Sequence, residues 1–88
     1  MSHDDATKQG IRDFLQSHFP QATINDADDL FALGHIDSIM VAELVMHIER
    51  TFDVQITVDE MSFDNLRSVD AMAAMIGRLR GKLISETA

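Results

Sequence analysis

Between Ser38 and Phe52 the apolar residues Val41, Leu44, Val45, Ile48 and Phe52 recur at helical intervals, while only Val54 to Val58 alternates as a strand does. This asymmetry constrains the fold most. A short strand with no second strand beside it leaves its ladder of N–H and C=O groups unpaired. A helical period instead gathers apolar side chains onto one face, which another helix must cover. The chain is therefore predicted to be all-α: a small four-helix bundle of three main helices and one or two short ones, with a long first loop. Val54–Val58 is predicted to be an extended connection.

The first helix is predicted over about 5–18, where Ile11, Phe14, Leu15 and His18/Phe19 share a face and Pro20 follows. From Gln21 to Asp37 the residues Asn25, Asp26, Asp28, Asp29 and Gly34 favour turns, with a brief helical turn from Asp28 to Leu33. Asp37 and Ser38 mark the start of the second helix, either or both capping its free N–H groups, and Gly34 permits a tight turn before it. Thr57 and Glu60 have capping-box spacing for a short turn through Met61, and Phe63 with Leu66 would bury another. Ser68 is predicted to cap a last helix whose inward stripe is Val69, Met72, Ala73, Ile76 and Leu79, stopping before Gly81.

Eighty-eight residues make a single domain, 1–88, with its core over about 6–81. A domain of this size buries only about 60–65% of its unfolded surface, which leaves little room for a deep substrate cleft beside the core. Seven Lys and Arg against 15 Asp and Glu give a formal charge of −8 and a pI near 4.6. That balance opposes binding to nucleic acid or an anionic membrane surface and favours basic protein partners. The absence of cysteine excludes a disulfide framework, a thiolate metal site and a redox motif. Neither a signal-peptide pattern nor an apolar run of membrane-spanning length is visible, so the expected setting is the cytoplasm and the expected state a monomer.

The chemistry-bearing segment is Leu33-Gly34-His35-Ile36-Asp37-Ser38-Ile39. A serine at a helix start serves as a plain cap, or as a modification site whose attached phosphate is stabilised by free N–H groups and the helix dipole. His35, Asp37 and Ser38 do not make a convincing hydrolase triad, because one short loop must then supply nucleophile, base, orienting acid and oxyanion site, and no nucleophile elbow surrounds Ser38. Asp26 to Asp37 has the length of a calcium loop but carries Phe31 where the glycine belongs and lacks the terminal glutamate. His3, His18, His35 and His47 have no metal-binding spacing.

Asp29-Leu30-Phe31-Ala32-Leu33-Gly34, then Asp37-Ser38-Ile39, Ala42-Glu43-Leu44, Ile48-Glu49, Phe52, Val54-Gln55-Ile56 and Ser68-Val69 together resemble the acyl carrier and peptidyl carrier protein family. The resemblance runs from about Ile11 to Leu79 and centres on that family's Gly-x-Asp-Ser-Leu type motif. Here His35 and Ile36 separate Gly34 from Asp37, and Ile39 replaces the common leucine. The resemblance implies that Ser38 receives phosphopantetheine from coenzyme A through a phosphopantetheinyl transferase, with Asp37 in transferase recognition. The arm's thiol would then hold an acyl or aminoacyl group as a thioester, and the chain would act as a carrier rather than a catalyst.

The resemblance also implies recognition along the second helix by a loading ligase or acyltransferase and by downstream biosynthetic enzymes. Met40, Val41, Glu43, Met46 and Glu49 are the candidate partner-binding residues, an apolar patch with an acidic rim, although Met40 and Met46 also suit the core. The apolar second helix, the Phe31-Ala32-Leu33-Gly34 run and Val69-Asp70-Ala71 look most like freestanding carriers of polyketide or nonribosomal-peptide pathways, including those for methoxymalonyl-type units. A D-alanyl carrier is the nearest alternative. A housekeeping fatty-acid carrier fits less well, because the second helix lacks a dense acidic run. An unmodified helical protein-interaction module is the alternative from another functional class, and an enzyme ranks behind both.

Overall fold

Ile11 and Leu15, four residues apart on the first helix, are wholly buried against Leu44, Ile48, Met72 and Ile76 of the shared core. This side-chain stripe organises the fold. The computed structural model describes residues 3–87, with side chains over 5–81. Its helices are α1 (His3–His18), α2 (Ser38–Phe52), α3 (Phe63–Leu66) and α4 (Val69–Thr87), with a 3-10 turn at Val58–Glu60. α1 packs on α4 and α2, and α3 packs on α4. The described residues contain no strand, and Val54–Thr57 is an extended connection, its Val54 and Ile56 buried in the core.

The long loop between α1 and α2 is pinned at several points. Leu30 is fully buried and its N–H donates to the carbonyl of Arg67 at 2.7 Å, while Asp70 N donates to the carbonyl of Asp26 at 3.0 Å. Arg12 Nε and Nη2 donate to the Asp26 carboxylate at 2.6 and 2.9 Å. That hydrogen bond, supported by the positive charge, holds the Asp26 pKa below the ordinary carboxylate value. Asp29 Oδ1 accepts from the N–H groups of Phe31 and Ala32, and Leu33 N donates to the Asp29 carbonyl at 3.0 Å, closing the brief helical turn predicted there.

Several local expectations are corrected. α1 begins two residues earlier than predicted. α4 runs through Gly81 to Thr87, because Gly81 keeps a negative φ and does not make the left-handed stop that the sequence led us to expect. Thr57 forms no side-chain cap; the Glu60 carboxylate instead accepts from Asn65 Nδ2 and Arg78 Nη2. In one-turn α3 only one apolar side can face inward, so Leu66 is buried and Phe63 is 72% exposed.

The C-terminal end of α2 is fastened to both long neighbours. Gly10 lets the Phe52 ring approach α1 so closely that a Cβ there would lie 2.9 Å from Phe52 Cζ. The Arg80 guanidinium from α4 sits 5.5 Å from the centroid of the same ring, a cation–π distance. Asp53 then takes a left-handed conformation, φ 54° and ψ 50°, that ends the helix.

His47 stacks on Phe14 with centroids 4.2 Å apart, tying α2 to α1. Burial, above all, lowers its pKa below the ordinary 6.5, against a hydrogen bond to the Gly10 backbone and with small contributions from His18 and Arg50. A lowered folded-state pKa means that the unfolded chain takes up the proton first. The stability contributed by neutral His47 is therefore present above about pH 6.5 and falls as the pH drops through that value toward the folded pKa. We expect the melting temperature to drop between pH 7.5 and 5.5, and His47→Gln to remove part of that drop; an unchanged pH profile in the variant would count against the assignment.

Candidate functional site

Ile36 is buried and anchors the chain just before α2, and Gly34, at φ 80°, makes the turn that leads into it. The following residue, Asp37, is extended (φ −126°, ψ −172°), and its Oδ1 accepts from Met40 N at 2.9 Å. Its carbonyl accepts from Val41 N at 2.9 Å. Asp37 is thus the cap, and the sequence ambiguity between Asp37 and Ser38 is resolved. Ser38, the first residue inside the helix, is exposed, and its hydroxyl has no hydrogen-bond partner among the described residues. The N–H groups of Ser38 and Ile39 are left without backbone acceptors, a local anion-favouring arrangement.

Removing the cap should weaken α2 directly. Asp37→Ala is expected to cost about 1 kcal/mol, the usual penalty for losing an N-cap acceptor, with Asp37→Asn retaining most of it. Urea titration of the two variants checks this, and equal stability of wild type and Asp37→Ala would contradict the capping role.

The Ser38 hydroxyl borders an open, mainly apolar groove of about 570 Å3. It is lined by Phe31 of the long loop, Val41 of α2 and Met61, Ser62, Phe63 and Leu66 around α3. Two of the lining residues, Phe31 and Phe63, pack edge to face, with centroids 4.8 Å apart and an interplanar angle of 83°. The outer wall is held to α4 because Arg78 Nη2 donates to both Glu60 Oε1 and Asn65 Oδ1 at 3.1 Å. Ser62 Oγ accepts from Asn65 N at 3.3 Å, capping α3.

The residues singled out on α2 do not share one surface. Val41 is half-buried on the groove side, and Glu43 and Met46 are exposed. Met40 is only 8% exposed, because it lies four residues before Leu44 on the core stripe, so its side chain does not form part of an exposed apolar patch. The Glu49 carboxylate accepts from Ile56 N at 2.9 Å and fastens the extended connection to α2. Glu43 is 3.3 Å from His18 Nε2. Sequence reasoning missed Ile39, which is 75% exposed beside Ser38, and the groove residues Phe31, Met61, Ser62, Phe63 and Leu66. The available signal was Phe31, which lies off the stripes of the long helices; the spacing of Phe63 with Leu66 pointed instead to burial.

No triad is assembled: His35 packs its ring against Phe19, 5.0 Å between centroids, and no hydrogen bond links it to Asp37 or Ser38. Among the described residues, no group of three or more His, Asp and Glu side chains is placed to hold a metal ion, and no helix is long and apolar enough to cross a membrane. His3 lies outside the described side chains.

The family model described as "Phosphopantetheine attachment site" matches residues 8–76, which include most of α1, the long loop, α2, the groove and the first part of α4. The chain belongs to that family. Comparison with curated proteins gives no match. Proteins of the phosphopantetheine-attachment family are carriers that hold this prosthetic group covalently, are generally non-catalytic, and interact with modifying and biosynthetic enzymes. The Asp37–Ser38 junction fits such a group: an exposed, uncommitted hydroxyl stands beside two free N–H groups that favour a phosphodiester's negative charge.

Proposed function

We propose that Ser38 is the phosphopantetheine attachment residue and that the chain is a carrier of acyl or aminoacyl groups in polyketide or nonribosomal-peptide biosynthesis, in the cytoplasm. The observation that carries the first part is the division of labour at the start of α2. Asp37 satisfies the helix, so the Ser38 hydroxyl is free for a transferase. The arm supplies the thiol that this cysteine-free chain lacks, and with it the thioester link to the carried group.

The protein's own residues hold and present. The free N–H groups at Ser38 and Ile39 stabilise the phosphodiester, and the fixed Asp37 carboxylate gives the transferase a landmark beside the reacting hydroxyl. Exposed Ile39 and Met46, half-buried Val41 and acidic Glu43 form the proposed recognition face, with Met40 and Glu49 supporting it from within. Such a face suits an apolar contact rimmed by basic residues on a loading ligase, acyltransferase or downstream enzyme.

The test is intact-protein mass spectrometry after incubation with coenzyme A and a broad-specificity phosphopantetheinyl transferase, followed by digestion to place the modification. One phosphopantetheine increment on the peptide containing Ser38 is the expected result. An increment on another residue, or none while a known carrier is modified in parallel, would overturn the assignment.

A further inference from the structure

The carboxylates of α2 and its N-cap are Asp37, Glu43 and Glu49, and they are held in different ways. Asp37 accepts from Met40 N and Glu49 from Ile56 N, backbone donors that keep their protons. Glu43 instead faces His18 Nε2 of α1 at 3.3 Å, and both side chains are partly exposed. At the other ring nitrogen, His18 Nδ1 lies 3.1 Å from the Phe14 carbonyl oxygen, which can only accept. The Ser17 hydroxyl, 3.4 Å from Nδ1, already donates to that carbonyl at 2.7 Å. Both ring nitrogens therefore face acceptors, an arrangement that only the imidazolium, with a proton on each, satisfies in full. A neutral ring gives up one of these bonds and, with it, the positive charge that draws in the Glu43 carboxylate.

We infer that His18 is a positioning residue for partner recognition: charged, it holds Glu43 against α1, and neutral, it releases Glu43 to a basic residue on the partner. The inference rests on the recognition face proposed above, to which Glu43 contributes the acidic group, and deepens that reading by assigning what controls this group. Glu43 lies about 7.5 Å along the helix axis from Ser38, within the span that a partner covers in reaching the hydroxyl. The other groups around His18 meet it through rings. Phe14 stands between it and His47 of α2, its ring centroid 4.4 and 4.2 Å from the two imidazoles. Burial above all, and then the charges of His18 and Arg50, oppose protonation of His47. On the loop side the Phe19 ring lies 6.4 Å from His18 and packs on His35 at 5.0 Å. Among the described residues, Glu43 is the one anion paired with His18.

Docking to a basic partner should therefore strengthen as the pH rises through the range in which histidine side chains lose their proton. The test measures KM and kcat of a broad-specificity phosphopantetheinyl transferase for the unmodified carrier at about pH 8 and about pH 6. Each KM is divided by that of His18→Phe at the same pH, a variant that keeps a ring on Phe14 but has no nitrogen, so the transferase's own pH response cancels. The wild-type ratio is expected to rise about two- to fourfold from the higher pH to the lower, the scale of a partly exposed ion pair, with the kcat ratio unchanged. His18→Lys, permanently charged, should show the raised ratio at both pH values, and His47→Gln should follow the wild type. Circular dichroism checks the fold of every variant at both. A wild-type ratio that stays flat, a rise that disappears in His47→Gln, or a His18→Lys ratio near one would each overturn the inference while leaving the recognition face intact. Glu43→Gln tests that face separately: it should raise KM about two- to fourfold at the higher pH. An unchanged KM there would remove Glu43 from the recognition face, and the inference with it.

Discussion

Ser38→Ala is expected to remain at its unmodified mass after incubation with coenzyme A and transferase, while unfolding at the same denaturant concentration as wild type to within about 0.5 kcal/mol. The two halves of this result come from different atoms. Modification requires the hydroxyl oxygen as the point of attachment, and alanine has none, so the effect is complete rather than graded. Stability is insensitive because the helix is capped by Asp37 through Met40 N, and among the described residues the Ser38 hydroxyl makes no hydrogen bond that alanine would lose. A retained increment would show that another residue carries the arm. A large loss of stability would show that the hydroxyl has a structural role that the geometry at α2 does not account for.

Leu44→Ala should have the largest effect on folding. Leu44 is wholly buried at the middle of α2, within the same cluster as Leu15, Ile48 and Met72. Truncation removes its transfer free energy and leaves a cavity that helices pinned at both ends of α2 cannot readily close, a loss of about 3–4 kcal/mol on the scale of buried leucines. A domain of this length has a total stability of roughly 4–13 kcal/mol, so the variant loses a large part of what it has. Urea unfolding followed by circular dichroism should show a strongly lowered midpoint. A change under about 1 kcal/mol would mean that the core repacks around the gap.

The long helices were legible because each buries a continuous stripe, and Leu44, Val45 and Ile48 announce theirs by spacing alone. Met40 belonged to the same stripe, four residues before Leu44, but proximity to the serine drew it into the proposed docking patch. Glu49 was beyond reach of any local pattern. Its partner, Ile56 N, arrives only once the chain has doubled back after α2. Glu60 shows the same effect in reverse: the spacing with Thr57 was present, but Asn65 and Arg78 compete successfully for its carboxylate. Gly81 was read as a stop, yet the glycine remains within α4 because nothing requires a left-handed residue there.

At the site, Asp37 and Ser38 were identifiable from the sequence, but their separate duties were not, since either side chain can cap. The groove was illegible for a different reason. Its walls come from the loop, from α2 and from the segment entering α3, and only folding brings Phe31 within 4.8 Å of Phe63. Phe31 lies off the stripes of the long helices, and the spacing of Phe63 with Leu66 pointed to burial, so the pair did not announce a surface groove.

The knot of Phe52, Gly10 and Arg80 makes this a molecule with a working tip and a spare handle. Ser38 and Phe52 stand at opposite ends of α2, about 21 Å of rigid helix apart at 1.5 Å per residue. Asp53 is exposed, just past the fastened end. Because the chain has no cysteine of its own, Asp53→Cys would provide a single thiol for a fluorophore in the unmodified protein. Such a dye would sit far enough from the serine to leave it accessible, yet near enough to register a partner by energy transfer.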